Sequence, residues 1–308
     1  MPNYLKRNDN QMLYKRYIAS EQAQKKSANT IKAYDKALRR FNAYLDENEI
    51  DEIAPLAVAD FKAELNEQGM STNTINDYLG TLWRYFHWLN RMRVIKKDAM
   101  PISEEDIPKR EFKKQSIPTK EEILKLIYYQ PKLWKTKQPI KNHAIVTLMC
   151  LTGLRSDELR SLTLADCNFD DRYILVRNGK GGKERTVPFP IKAKEAVMEY
   201  LNTGLRPKEL SDDDYLFGTL VDNRWNKMDS STLYRMIQRY ARRVIGKEIH
   251  PHTLRHCSAS LWDYADVPMR DVQKALGHAS ITTTERVYMH ILDDHKSAMT
   301  INSALDNL

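Results

Sequence analysis

The strongest constraint on the fold of this chain is a repeat. Residues 27–45 read SANTIKAYDKALRRFNAYL and residues 71–89 read STNTINDYLGTLWRYFHWL, so that at a constant offset of 44 they share Ser, Asn, Thr, Ile, Tyr, Leu, Arg and Leu. In the first copy Ile31, Tyr34, Leu38, Phe41 and Leu45 recur at steps of three and four, and Ile75, Tyr78, Leu82 and Leu89 take the matching places in the second. That period lays an apolar stripe along one side of an α-helix. The Ser at each start is a side chain suited to capping the free N–H groups of a first turn. Two such stripes need partners to be buried, which predicts a small helical bundle. Residues 53–65, with Pro55, Val58, Phe61 and Leu65, supply another short helix, and four or five helices ending near Ile95 are expected. The aromatics Trp83, Tyr85, Phe86 and Trp88 alternate around their helix, which assigns them to the core or a domain interface rather than to a stacking platform.

The chain has 308 residues, enough for two cores. Lys and Arg number 49 against 41 Asp and Glu, a formal +8, and the isoelectric point is near 9.1, which favours a polyanionic partner. The hydroxyl- and amide-rich starts of the repeated helices, Thr30 and Thr74 among them, are therefore candidate phosphate contacts, because helix N-termini present N–H groups and positive dipole ends. Cys150, Cys167 and Cys257 are an odd set without C-x-x-C spacing, which argues against a disulfide framework and against a zinc site and places the protein in a reducing compartment, the cytoplasm. The start lacks the apolar core of a signal peptide, and no uncharged run approaches a membrane span, so no membrane partner is expected. The expected division is a helical domain over 10–98, a polar, Pro-bearing and basic linker over 99–116, and a second domain over 117–308.

The second domain opens on a capping box, Thr119 to Glu122, ahead of Ile123, Leu126 and Ile127. An apolar helix over 143–151 runs into Thr152-Gly153, after which Arg155 begins a new helix. An Arg in a first turn opposes the helix dipole and calls for another reason to be there. Residues 173–177 and 185–189 are β-prone runs around a Gly-rich reversal, a hairpin tipped by Lys180 and Lys183. It lacks the P-loop pattern, so nucleotide hydrolysis is not indicated. A helix over 230–245 carries Arg235, Arg239, Arg242 and Arg243 opposite Leu233, Ile237 and Val244, a candidate DNA-facing surface. Pro251 sits where a helix would begin, which brings His252 and Arg255 onto one face.

Five ordered motifs then carry a resemblance: TGLRSDEL at 152–159, GKGGKERTVP at 179–188, HTLRH at 252–256, LGHASI at 276–281 and TTERVYMH at 283–290. Together they closely resemble the tyrosine recombinase, or phage integrase, family across roughly residues 117–295, and the helical N-terminal part resembles that family's core-binding domain. The resemblance implies a mainly α chain, with an all-helical SAM-like domain followed by a mixed α+β catalytic domain holding a small β-hairpin sheet. It implies site-specific DNA strand exchange through a 3′-phosphotyrosyl intermediate, without cofactor or metal. Tyr288 matches the nucleophile, Arg155 and Arg255 the pair that holds the non-bridging oxygens, and Lys180 the acid for the departing 5′-oxygen. His252 matches the base or proton shuttle and His278 a second phosphate-bonding histidine, with Glu158 orienting an Arg or His from behind. Permanent, bidentate charge suits arginine to a five-coordinate phosphorus. Lys183 and Arg185 of the second motif join Thr30, Thr74 and the four arginines of 235–243 as candidate DNA contacts.

The expected partners are duplex DNA bearing short inverted core sites, further copies of the chain in a tetramer, and an accessory protein or second recombinase. Residues 294–308, with Ala298, Ile301, Ala304 and Leu305 apolar, are expected to dock on a neighbouring subunit. Tyr288 lies ten residues after His278, one more than in the Xer branch, which tilts the reading toward integration, excision or resolution by a mobile element, and the chain lacks room for an arm-binding domain. Xer-like dimer resolution, a non-catalytic DNA-binding regulator and a topoisomerase without a specific site stand as the alternatives.

Overall fold

The computed structural model describes residues 3–110, 117–131, 138–177 and 184–277. The chain divides into two compact units, residues 1–113 and 114–308. Lys180, Lys183, His278, Tyr288 and the terminal segment 294–308 lie outside the described residues.

The first unit holds β1 (Leu5–Lys6), α1 (Arg7–Ala23), α2 (Ala28–Glu47), β2 (Glu52–Ile53), α3 (Pro55–Glu67) and α4 (Thr72–Arg91). The repeat is structural as well as textual. Helices α2 and α4 each run twenty residues from equivalent starts, and Ser27 and Ser71 accept from the amides of Thr30 and Thr74 at 3.1 and 3.2 Å. In both copies the Ser and Thr hydroxyls also pair at 2.8 Å, so Thr30 and Thr74 belong to the caps themselves. The stripes meet in one core, where Leu38, Phe41, Leu45, Phe61, Leu82, Tyr85, Phe86 and Leu89 are fully buried. Trp83 and Trp88 lean against that core, as expected of this aromatic group. Pro55 stands at the first position of α3, where its missing N–H costs nothing.

Two features add to the helical reading. Leu5 and Ile53 pair as a two-residue antiparallel ladder, which closes the N-terminus onto the bundle. Helix α1 buries a polar face: Asn10 donates to Asn42 Oδ1 at 2.7 Å and accepts from the Tyr85 hydroxyl at 2.8 Å, all three buried. Part of the stretch read as linker packs on this unit as well. Ile102 is buried, Ser103 and Asp106 cap a short 3-10 turn, Asn76 Nδ2 donates to the Pro108 carbonyl at 2.5 Å, and Arg110 pairs with Asp77.

The first helix of the second unit opens on the expected box: Glu122 N donates to Thr119 Oγ1 at 3.3 Å and Thr119 N to Glu122 Oε2 at 2.9 Å. It contains α5 (Lys120–Tyr128), α6 (Gln138–Thr152), α7 (Ser156–Ser161), β3 (Cys167–Asn168), β4 (Tyr173–Val176), β5 (Arg185–Pro188) and α8 (Ile191–Asn202). These are followed by β6 (Gly218–Val221), β7 (Arg224–Lys227), α9 (Ser230–Ile245), α10 (Pro251–Tyr264) and α11 (Met269–Leu276). Helix α6 is the buried axis, its residues 143–150 all buried, with α5, α8, α9 and α10 packed around it. The expected hairpin forms, β4 pairing antiparallel with β5 from Tyr173↔Pro188 to Val176↔Arg185, and β3 adds a third strand. A second hairpin, β6–β7, turns on Asp222 and Asn223, both left-handed at φ 49° and 57°, the pairing that two-residue reversals require. Among the described residues no helix is long and apolar enough to cross a membrane.

Candidate functional site: an arginine cluster at a helix end

Three arginines from distant parts of the second unit converge on the end of α11. Gly153, in the left-handed region at φ 65°, ends α6 and turns the chain into α7. A Cβ there would lie 2.8 Å from Leu276 Cδ2, so the glycine also lets α11 approach. Arg155 is the N-cap residue of α7. Its backbone N–H donates to Glu158 Oε2 at 2.7 Å, its guanidinium to Glu158 Oε1 at 2.8 Å, and its other branch to the Gly277 carbonyl at 3.0 Å. The dipole conflict of an Arg at a helix start is thus relieved by Glu158 in the same turn.

Arg255, one turn into α10 and 5 % exposed, donates at 2.5 Å to the Gly153 carbonyl and at 2.5 Å to the Leu276 carbonyl. Burial, and then the like charge of Arg155, draw its guanidinium down to about 9, still charged at neutrality. Arg185 on β5 clasps Glu158 with two parallel bonds of 2.7 and 2.8 Å and donates its Nε–H to the Ala275 carbonyl at 2.8 Å. The last carbonyls of α11, Ala275, Leu276 and Gly277, are therefore each taken by a different arginine: Arg185, Arg255 and Arg155 in turn. A helix C-terminus leaves such carbonyls free and carries negative partial charge, so the cations suit it.

Among the described residues Glu158 is the carboxylate that the cluster bonds, and its side chain is 5 % exposed. Burial alone would push its carboxyl up; the hydrogen bonds from Arg185 and from the Arg155 N–H outweigh that and hold it at about 2. Three guanidiniums around one carboxylate leave a net +2. His252 lies on the open side of α10, its ring stacked on His256 at 4.6 Å. Loss of surrounding water, then the charges of Arg255 and Arg155, pull its imidazole below the usual value, which favours the neutral ring.

Arg185 is expected from its motif to contact DNA, and in this structure it packs inward. Its side chain is 10 % exposed and turned inward to Glu158 and Ala275. Strand alternation carried the signal, since Arg185 lies two residues from the buried Val187 and so on the same face of β5. Arg235, Arg239, Arg242 and Arg243 do stand exposed on one side of α9, opposite the buried Leu233, Ile237 and Ala241. Arg242 also pairs with Glu248.

Residues 118–295 match the model of the phage integrase family, and residues 13–93 that of the phage integrase N-terminal SAM-like domain. The chain belongs to the phage integrase family of tyrosine recombinases. It is 33 % identical over 286 residues to the tyrosine recombinase XerA of Pyrococcus furiosus, covering 92 % of this chain and 91 % of that one. Among solved structures, a XerH site-specific recombinase in a post-cleavage complex with a palindromic difH substrate matches with a TM-score of 0.71 at 20 % identity, covering 92 % of this chain and 82 % of that one. The Tn1549 transposon integrase with transposon right end DNA matches at 0.70 and 20 %, covering 96 % and 98 %. These likenesses agree with the SAM-like first unit and the mixed α+β second unit, and the chemistry of the recombinase is DNA strand cleavage and exchange.

Proposed function

We propose that the recombinase acts at short inverted core sites, cutting and rejoining one strand at a time through a 3′-phosphotyrosyl intermediate on Tyr288. The observation that carries this reading is the convergence of Arg255 on Leu276 and of Arg155 on Gly277 at the end of α11, with Gly277 one residue before His278 and eleven before Tyr288. A phosphodiester under attack by a phenolate passes through a five-coordinate dianion, and a fixed net charge of +2 beside it offsets that charge without rearrangement. Tyr288 Oη bonds to phosphorus as its proton passes to His252; the P–O5′ bond breaks and Lys180 protonates the departing oxygen. The 5′-hydroxyl of a partner strand then reverses both transfers. The covalent ester conserves the phosphodiester bond energy, so the cycle closes without a nucleotide.

The exposed arginines of α9, with Thr30, Thr74 and Lys183, supply contacts to the DNA backbone. Four copies assemble on two duplexes, with residues 294–308 of each docking on a neighbour, and the ten-residue step from His278 to Tyr288 favours integration, excision or resolution by a mobile element. Similarity to XerA supports the competing outcome, dimer resolution by a Xer-like enzyme.

The test uses two differently labelled duplexes carrying the inverted site selected from random DNA by the full-length protein. Joined strands of mixed label, formed in a complex of four protein chains, are expected. Relaxation of supercoiled plasmid lacking the site, with no mixed product, would overturn strand exchange in favour of a topoisomerase. Plasmids with the site in direct repeat or on two molecules then separate resolution from integration.

A further inference from the structure

We infer that Arg185 is a positioning residue for strand cleavage: it bolts the carboxylate that holds Arg155 to the helix end from which the nucleophile segment departs. The inference deepens the proposed function and rests on it. Arg185 joins three elements at once. It leaves β5, two residues after the hairpin tip that carries Lys180 and Lys183; it grips both oxygens of Glu158 on α7; and it donates to the Ala275 carbonyl in the last turn of α11. Through Glu158 it fixes the rotamer of Arg155, whose guanidinium shares Oε1 of that carboxylate. Through Ala275 it fixes the level of α11, whose next residues are Leu276, Gly277 and His278.

The fit on the α11 side is close. Gly277 is left-handed at φ 62°, and a Cβ on it would come within 2.9 Å of Arg185 Cδ and 3.0 Å of Nε. The chain passes directly over the Arg185 side chain as it enters the nucleophile segment, so Gly277 meets two demands together, its backbone conformation and the room for this arginine. Arg185 touches no phosphate in this account. It acts through Arg155 and through the path of the chain after Leu276.

A buried bidentate contact of this kind sets geometry, and a misplacement of about 1 Å at a reacting centre costs roughly 100-fold in rate. Arg185→Met and Arg185→Lys are made in the full-length protein and assayed on the selected core site. Each is measured for affinity over a range of salt and, at saturating protein well below the melting temperature, for the rate of covalent adduct on a nicked suicide duplex. Positioning predicts an Arg185→Met affinity and salt slope equal to wild type, with adduct formation roughly 10- to 100-fold slower. Arg185→Lys, which keeps the charge but cannot clasp both oxygens and the carbonyl together, recovers part of that loss.

Loss of affinity with a salt slope smaller by about one would make Arg185 a phosphate contact and overturn the proposal. So would wild-type rates in Arg185→Met or, should that variant fail to fold, in Arg185→Lys. A 5′-bridging phosphorothiolate, whose sulfur departs without a proton, should restore no rate to either variant; restoration would assign Arg185 to the leaving group instead. Absence of an adduct with wild type on a bound, validated site would be a failure of the proposed function, distinct from all of these.

Discussion

Replacing Glu158 by Gln removes the anion that three cations surround, and its cost can be worked from the structure. The carboxyl is held at about 2 against an ordinary 4.5. Since each tenfold difference in proton affinity is worth about 1.4 kcal/mol, the gap is about 3 kcal/mol of folding stability. The figure agrees with the roughly 3–5 kcal/mol lost when one partner of a buried ion pair is removed. Because the folded value lies below the unfolded one, this stabilisation is complete above about pH 4.5 and is lost as pH falls through about 2. Urea unfolding of the full chain, with the second unit's transition assigned by hydrogen exchange in α6, should therefore place Glu158→Gln about 3 kcal/mol below wild type at pH 7. The two should draw together in acid, with over half of the difference gone by pH 3. A difference below about 1 kcal/mol at pH 7, or one that does not shrink in acid, would refute the view that this carboxylate holds the arginines.

Three further outcomes follow from the geometry. Ser27→Ala and Ser71→Ala should each lower the stability of the first unit by about 1 kcal/mol, additively in thermal melts, because each removes one equivalent cap. Asn10→Leu should cost more, about 2–4 kcal/mol in the same melts, since it strands the Tyr85 hydroxyl and an Asn42 oxygen inside the core. Replacing Arg235, Arg239 and Arg243 together by Gln should weaken core-site binding and reduce the slope of log affinity against log salt by about 3, with the adduct rate at saturating protein unchanged.

What the sequence disclosed, it disclosed through strong local chemistry. The repeated Ser caps and apolar stripes of 27–45 and 71–89 reappear as matched helices because cap and stripe point to the same start and the same face. The capping box at Thr119 and the pairing of β4 with β5 were legible for the same reason. Helix α1 was not, because its buried face carries Asn10 and Glu21, and a polar stripe gives no hydrophobic period. Helix α8 hid behind Ala193 and Ala196, two of the four residues on its buried face. The hairpin β6–β7 is marked by little beyond Asp222-Asn223 at its turn. At the site, Arg155, Glu158 and Arg255 are legible in the motifs, but the successive carbonyls taken by Arg185, Arg255 and Arg155 are not. Residues 155, 185, 255 and 275–277 meet only through the packing of α7, β5, α10 and α11, and backbone acceptors leave no mark on side-chain pattern.

The central claim is that this cluster serves a tyrosine that takes up DNA covalently. The most direct measurement incubates wild type and Tyr288→Phe with a nicked suicide duplex bearing the selected site, then resolves the products under denaturing conditions. Wild type should give a protein–DNA adduct, mapped by mass spectrometry to Tyr288, and Tyr288→Phe undiminished binding with no adduct. An adduct that persists in Tyr288→Phe, or none from wild type on a site it binds, would contradict that claim.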